Sequence, residues 1–110
     1  MAKLDMLIKS VENRQPISFQ YNRADKTKGV RIGNVHAIFI FTSKKGEIST
    51  KLHIVQTDGV SDSGDKGDFP FWRTFNIDFI SDVKILEDLD RFEIEEGYNP
   101  ESYDNPIAKI

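Results

Sequence analysis

Between Phe71 and Val83 the chain carries the signature of a half-buried β-strand. Phe71, Phe75, Ile77 and Phe79 share one face at period 2, and Trp72, Thr74, Asn76 and Asp78 share the other. Arg73 sits within the apolar stripe and interrupts it. At Phe79-Ile80 the alternation slips by one, and Val83 and Ile85 restart it. A slip followed by Ser81-Asp82 predicts a single tight turn between two strands.

The rest of the chain reads as elements arranged around this stretch. Leu4, Leu7, Ile8 and Val11 recur at helical spacing, which predicts a short amphipathic helix over 3–13. Asn13 is placed to end it in the left-handed conformation, and Pro16 prevents its continuation. So short a helix is marginal in water, so its apolar stripe must dock on the sheet. Ile17, Phe19 and Tyr21 alternate with Ser18 and Gln20 in a first strand, and a charged turn runs from Asn22 to Gly29. A second strand begins at Val30 and Ile32 and changes phase at Gly33-Asn34, where a glycine inside a strand predicts a bulge or bend. Ala37 to Phe41 is apolar on both faces, as expected of a central strand. Ser43-Lys44-Lys45-Gly46 is a hairpin turn, Glu47 to Thr57 a third strand, and Asp58 to Pro70 an exposed polar loop. Val83 to Leu86 supplies a fifth strand.

These elements predict two regions: 1–87, a small, partly open antiparallel barrel of five strands with an N-terminal helix, and 88–110, an acidic tail. Phe92, Ile94, Tyr98, Ile107 and Ile110 predict that the irregular tail packs back on the domain.

Composition narrows the functional classes. The chain has 110 residues, enough for one core, and a net charge of -3, which argues against tight sequence-blind binding of duplex DNA. It contains no cysteine, so disulfides and thiolate metal sites are impossible, which fits a reducing compartment. No apolar run has the length of a membrane span and no signal-peptide pattern opens the chain, so a cytoplasmic location is expected. No phosphate-binding glycine loop, nucleophile elbow or paired carboxylates at helical spacing occur, and a non-catalytic protein without cofactors is expected.

From Leu4 to Leu86 the chain resembles the WYL domain. Ile17-Ser18-Phe19-Gln20-Tyr21 is similar to that family's first strand and Arg31-Ile32-Gly33-Asn34-Val35-His36-Ala37-Ile38 to its second. Leu52-His53-Ile54 lies where the namesake tripeptide is expected, and Arg73 to Val83 resembles the closing motif. The chain departs from the pattern at Val35, where a proline is usual, at Phe79, where an arginine is usual, and in the tripeptide, of which only the aliphatic third member is approximately kept, as Ile54. The resemblance implies an SH3-like or Sm-like barrel and a ligand-sensing or nucleic-acid-binding module used in transcription regulation. The winged-helix domain that commonly accompanies the family has no room in these 110 residues.

Candidate residues are few. An arginine on an apolar strand face is costly to bury alone, so Arg73 either offers its planar fork to a phosphate or carboxylate ligand, pairs with an internal acid, or extends to the rim. His36, His53 and Gln56 fall on the two central strands and Tyr21 on the first, and the resemblance implies that they converge near Arg73. Histidine and tyrosine can contact an anion or stack on a base, and each can equally be a satisfied polar tip on a half-buried face. Trp72 is either a stacking platform or a contact for the tail, and the tail is the plainer partner. Asp58, Asp62, Asp65 and Asp68 share one glycine-rich loop but lack the EF-hand spacing, because Arg73 stands at the twelfth position from Asp62. The two histidines have no third ligand at a recognisable spacing, so no metal is expected. Arg23, Lys26, Lys28, Lys44 and Lys45 would form a basic rim if their two turns met.

The expectation is a module that binds an anionic ligand, a nucleotide or short single-stranded nucleic acid, through Arg73, His36, His53, Gln56 and Tyr21. The alternative is a protein–protein interaction module that uses a barrel edge or the tail.

Overall fold

The N-terminal helix α1 (Lys3–Asn13) forms where the apolar spacing places it, and it buries Leu7, Ser10 and Val11. It is described in a computed structural model covering residues 3–24, 26–60, 70–103 and 105–110. Arg14, rather than Asn13, adopts the left-handed conformation that ends the helix, with φ 51°. The amide of Gln15 then donates to the Ser10 carbonyl at 3.0 Å, which closes the last turn before Pro16.

The remainder is mainly β: β1 (Ile17–Tyr21), β2 (Val30–Thr42), β3 (Ile48–Gly59), β4 (Phe71–Asn76), β5 (Ile80–Ile85) and β6 (Pro106–Lys109). They form one six-stranded antiparallel sheet in the order β4-β3-β2-β1-β5, with β6 also paired to β2. β2 is long enough to hold β1 along Val30–Gly33 and β6 along Ala37–Phe39. β4 and β5 are the ends of the path and share no ladder among the described residues, so the sheet stays open rather than closing as a barrel. The expected five strands become six because part of the tail joins the sheet.

The turn between β4 and β5 comes earlier than the alternation predicts. It is one 3-10 turn at Ile77–Phe79, and the Asn76 side chain caps it by accepting from the Asp78 amide at 2.9 Å. Ser81-Asp82 lies within β5 instead. There the register with β1 shifts between Ser18 and Gln20, and Asp82 has φ 53°. A short turn and a bulge together reproduce the pattern that the sequence shows as one slip.

Two further irregularities bend β2 against β3. Thr57 has no partner in the ladder, which passes from Ile32↔Asp58 to Gly33↔Gln56. A Cβ at Gly33 would come within 2.6 Å of Ile54 Cγ2 and 2.9 Å of the Val55 carbonyl, so only glycine permits this approach. His36 is the second extra residue, since Val35 faces Ile54 and Ala37 faces His53. One added residue reverses the phase, so Val35 and Ile38 both point inward while His36 and Ala37 both point outward.

The core lies on the inner face. Phe75 meets Phe19 and Tyr21 edge to face at centroid distances of 5.2 and 4.8 Å, with Ile38, Leu52, Ile54 and the helix residues Leu7 and Val11 around them. α1 packs against β2, β5 and β6. After β5 the chain turns past the end of α1, where the Phe92 amide donates to the Arg14 carbonyl at 2.9 Å. It then crosses the outer face of β2–β3–β4 and returns as β6. None of the described helices is long and apolar enough to cross a membrane.

Candidate functional site

The sheet separates the residues that the sequence brings together. Register puts Arg73 opposite Ile54 and Gln56 opposite Phe71, on the inner side with Phe75. His53 lies opposite Thr74, on the outer side with Trp72. Tyr21 and Gln56 are buried on the inner side, and the bulge sends His36 outward. Arg73, Tyr21 and Gln56 therefore do not converge with His36 and His53; two faces of one sheet intervene.

On the inner side a different arginine takes the central position. Arg31 is fully buried, with its guanidinium 5.8 Å from the Tyr21 ring centroid and 5.5 Å from that of Phe75. Its Nη2 donates to the Thr27 carbonyl at 3.1 Å and its Nη1 reaches the Gln56 side-chain oxygen at 3.5 Å. Gln56 Nε2 in turn donates to the carbonyls of Asp58 and Val60 at 3.1 and 2.7 Å. The Tyr21 hydroxyl accepts from the Asn76 amide at 3.1 Å and so fixes the end of β4. Arg73 is half-buried at the outer strand of the path and lies 5.5 Å from the Phe71 ring. The polar tips of Tyr21 and Gln56 are engaged in holding backbone. Arg31 escaped the sequence reading because Val30 and Ile32 set an apolar phase into which it does not fall.

The outer side carries an aromatic layer. Trp72 lies against His53 at 4.4 Å and His36 at 4.9 Å, and Tyr98 stacks on Trp72 with planes 13° apart. Phe92 and Tyr98 cover His36 at 5.0 and 5.4 Å. The tail is thus the partner of Trp72, and its indole N–H donates to the Glu96 carbonyl at 3.4 Å. His36 Nδ1 is 2.9 Å from the Asn34 carbonyl, while its Nε2 accepts the Glu95 amide at 3.0 Å. His53 Nδ1 is 2.6 Å from the Tyr103 hydroxyl.

Burial sets the protonation states here. It lowers the pKa of His36 from the ordinary 6.5, against opposing contributions from the Asn34 carbonyl and the Glu95 carboxylate. It lowers His53 too, helped by charge repulsion from His36. The Tyr103 hydroxyl is pushed up to about 12, chiefly by burial and then by Tyr98. Both histidines are neutral at pH 7, so the layer is polar but uncharged.

Where the tail stops covering the outer face, a groove of about 400 Å³ opens. Phe39, Phe41, His53, Thr74, Tyr103 and Asn105 line it. Phe41 is 46% exposed, and the Lys51 ammonium lies 5.8 Å from its ring centroid. Phe39 and Tyr103 pack at 5.2 Å and form the wall nearest the tail. The arrangement offers an accessible aromatic face, a cation beside it, and hydroxyl and imidazole groups in its lining.

The other sequence candidates resolve simply. The basic turns containing Arg23, Lys26 and Lys28 and containing Lys44 and Lys45 flank opposite ends of β2, so they do not make one rim. Asp62, Asp65 and Asp68 lie outside the described residues, and Asp58 is exposed at the end of β3. Among the described residues no three His, Asp or Glu side chains gather as a metal site. Ile94 and Ile107 remain exposed, whereas Phe92 is buried and Ile110 packs against the core. No family model matches the chain, and neither the curated proteins nor the solved structures contain a match to it.

Proposed function

We propose that this chain is a non-catalytic, WYL-like binding module that takes a nucleotide or a short single-stranded nucleic acid in the groove on the outer face. The observation that carries the reading is the exposed Phe41 ring with Lys51 beside it, in a groove that His53 and Thr74 also line. A base stacks on an accessible aromatic ring whatever its sequence, and an ammonium beside the ring meets the adjoining phosphate. The topology supports an SH3-like or Sm-like ancestry: one 3-10 turn joins β4 to β5, and β5 returns to pair with β1. The residue resemblance between Leu4 and Leu86 points the same way.

Titration of labelled oligonucleotides and mononucleotides at two salt concentrations tests it. Phe41→Ala is expected to weaken binding about tenfold, since base stacking on an aromatic side chain is worth about 1–3 kcal/mol. Lys51→Ala should weaken it and flatten its salt dependence, while Arg73→Ala should leave it unchanged. Loss of binding in Arg73→Ala with Phe41→Ala intact would move the ligand to the inner side of the sheet. Absence of salt-sensitive binding in the wild type would end the proposal.

A second reading, a module for polypeptide partners, is favoured by the edge of β2, which already accepts a short strand along Ala37–Phe39. Peptide capture that survives Phe41→Ala but increases when β6 is deleted would favour it over nucleotide binding.

A further inference from the structure

The segment that roofs the outer face is tied to it through histidines, His36 to the Glu95 amide and His53 to the Tyr103 hydroxyl. We propose that His36, assisted by His53, is a proton-operated clasp that holds residues 92–103 and β6 over the outer face at neutral pH and releases them on acidification. What such release would regulate rests on the groove reading, because Tyr103 belongs to both the roof and the groove lining.

The geometry assigns the His36 tautomer. Nδ1 faces the Asn34 carbonyl and must carry a proton to bond with it, while Nε2 receives an N–H from Glu95 and must lack one. Only the neutral ring satisfies both contacts. A second proton on Nε2 would face the Glu95 N–H, replacing a hydrogen bond with two opposed donors and placing a charge in a fully buried ring. The same residue also anchors the end of the roof, since the Ile110 amide donates to the His36 carbonyl at 3.2 Å. His53 acts differently. Its bond to the Tyr103 hydroxyl survives in either protonation state, so protonating it adds charge beside His36 without removing a donor–acceptor match.

From β3, His53 faces His36, and its protonation repels a proton there. β4 contributes the uncharged Trp72 ring, with Arg73 on the opposite face. From the roof come Phe92 and Tyr98, whose hydroxyl donates to the Ile110 carbonyl oxygen at 3.0 Å, and Glu96, which engages Trp72 through its backbone. β6 brings Lys109 opposite Ala37, with its ammonium on the Pro100 carbonyl at 3.0 Å. The Asn34 carbonyl and, after it, the Glu95 carboxylate favour the charged ring, and burial outweighs both.

The sign follows. The closed form holds His36 below 6.5, and the open form returns it to the ordinary value, so the open form binds more protons in the acid range. Closure is therefore complete above 6.5 and weakens as pH falls through that value, by up to about tenfold per pH unit for each histidine, until the closed form itself titrates.

Amide hydrogen exchange on the full chain, corrected for intrinsic pH dependence, measures closure without any ligand, so its outcome is independent of whether the groove binds nucleotides. Between pH 7.5 and 5, protection at Glu95 and Ile110 should fall below 6.5, by at most about tenfold per unit for each histidine, while Leu52 and Ile54 keep theirs. His36→Gln, which retains a side-chain acceptor that does not titrate, should flatten the profile, and His53→Gln should leave most of it. Nitrogen chemical shifts of the His36 ring in the wild type provide a check that requires no variant: the ring should titrate together with the Glu95 amide. Three results would overturn the clasp: protection at Glu95 that ignores pH, a His36→Gln profile matching the wild type, or core amides losing protection in step with the roof.

Discussion

The two faces of the β2–β3–β4 sheet are built from the same strands and closed by different means. The inner face is sealed by aliphatic side chains and a Phe19–Phe75–Tyr21 cluster, with the buried Arg31 guanidinium packed between rings and carbonyls. The outer face is sealed by an irregular segment that touches it mainly through aromatic rings and a few hydrogen bonds to histidine. Burial of apolar area does not depend on pH, whereas an imidazole acceptor does. The inner face should therefore behave as part of the cooperative fold, and the outer face as a cover that opens by itself.

Four substitutions test this contrast in decreasing order of effect. Phe75→Ala removes the ring at the centre of the inner cluster and should destabilise the whole domain by about 4 kcal/mol, read as a lower denaturant midpoint. If only the roof loosened instead, the contrast would be inverted. Gln56→Leu leaves Arg31 and the carbonyls of Asp58 and Val60 without a partner that each now has, which should lower global stability by about 2 kcal/mol. A neutral result in chemical denaturation would show that the inner polar group is dispensable. Trp72→Ala removes a half-buried ring from the outer layer, and about 1–2 kcal/mol is expected, less than for a ring in the closed core. Its exchange signature should be confined to 92–103, and uniform loss across β2 and β3 would merge the two faces into one unit. Lys51→Ala should shift stability by no more than about 0.5 kcal/mol, because its ammonium lies beside the exposed Phe41 ring, while weakening nucleotide binding. A thermal melt beside a binding titration separates the two effects.

Much of the fold could be read residue by residue. The helix and β1 lie where the apolar spacing predicts them, because a period of 3.6 or 2 over consecutive residues is a local property. Gly33 marked a bend for a reason the structure makes physical, the approach of Ile54 and Val55. The tail meets the outer face through Phe92 and Tyr98, but its entry into the sheet as β6 was not visible in the sequence. Pro106–Lys109 has one apolar pair and no alternation long enough to announce a strand. The candidate site was the least legible part. Arg73 drew attention as a cation on an apolar stripe, whereas the fully buried cation is Arg31.

By itself the sequence determined the helix and the strands that carry a continuous apolar period, since each of those choices depends on neighbours within a turn or a pleat. It also offered the tail as the plainer partner of Trp72, beside a stacking platform as the alternative. Tertiary structure alone decided which polar residues share a face. A single extra residue at His36 reverses the pleat of β2, and that reversal exists only through its pairing with β3. Because facing is set by register across strands, and register is a relation between distant parts of the chain, no local pattern could have placed His36 beside His53 and apart from Tyr21 and Gln56.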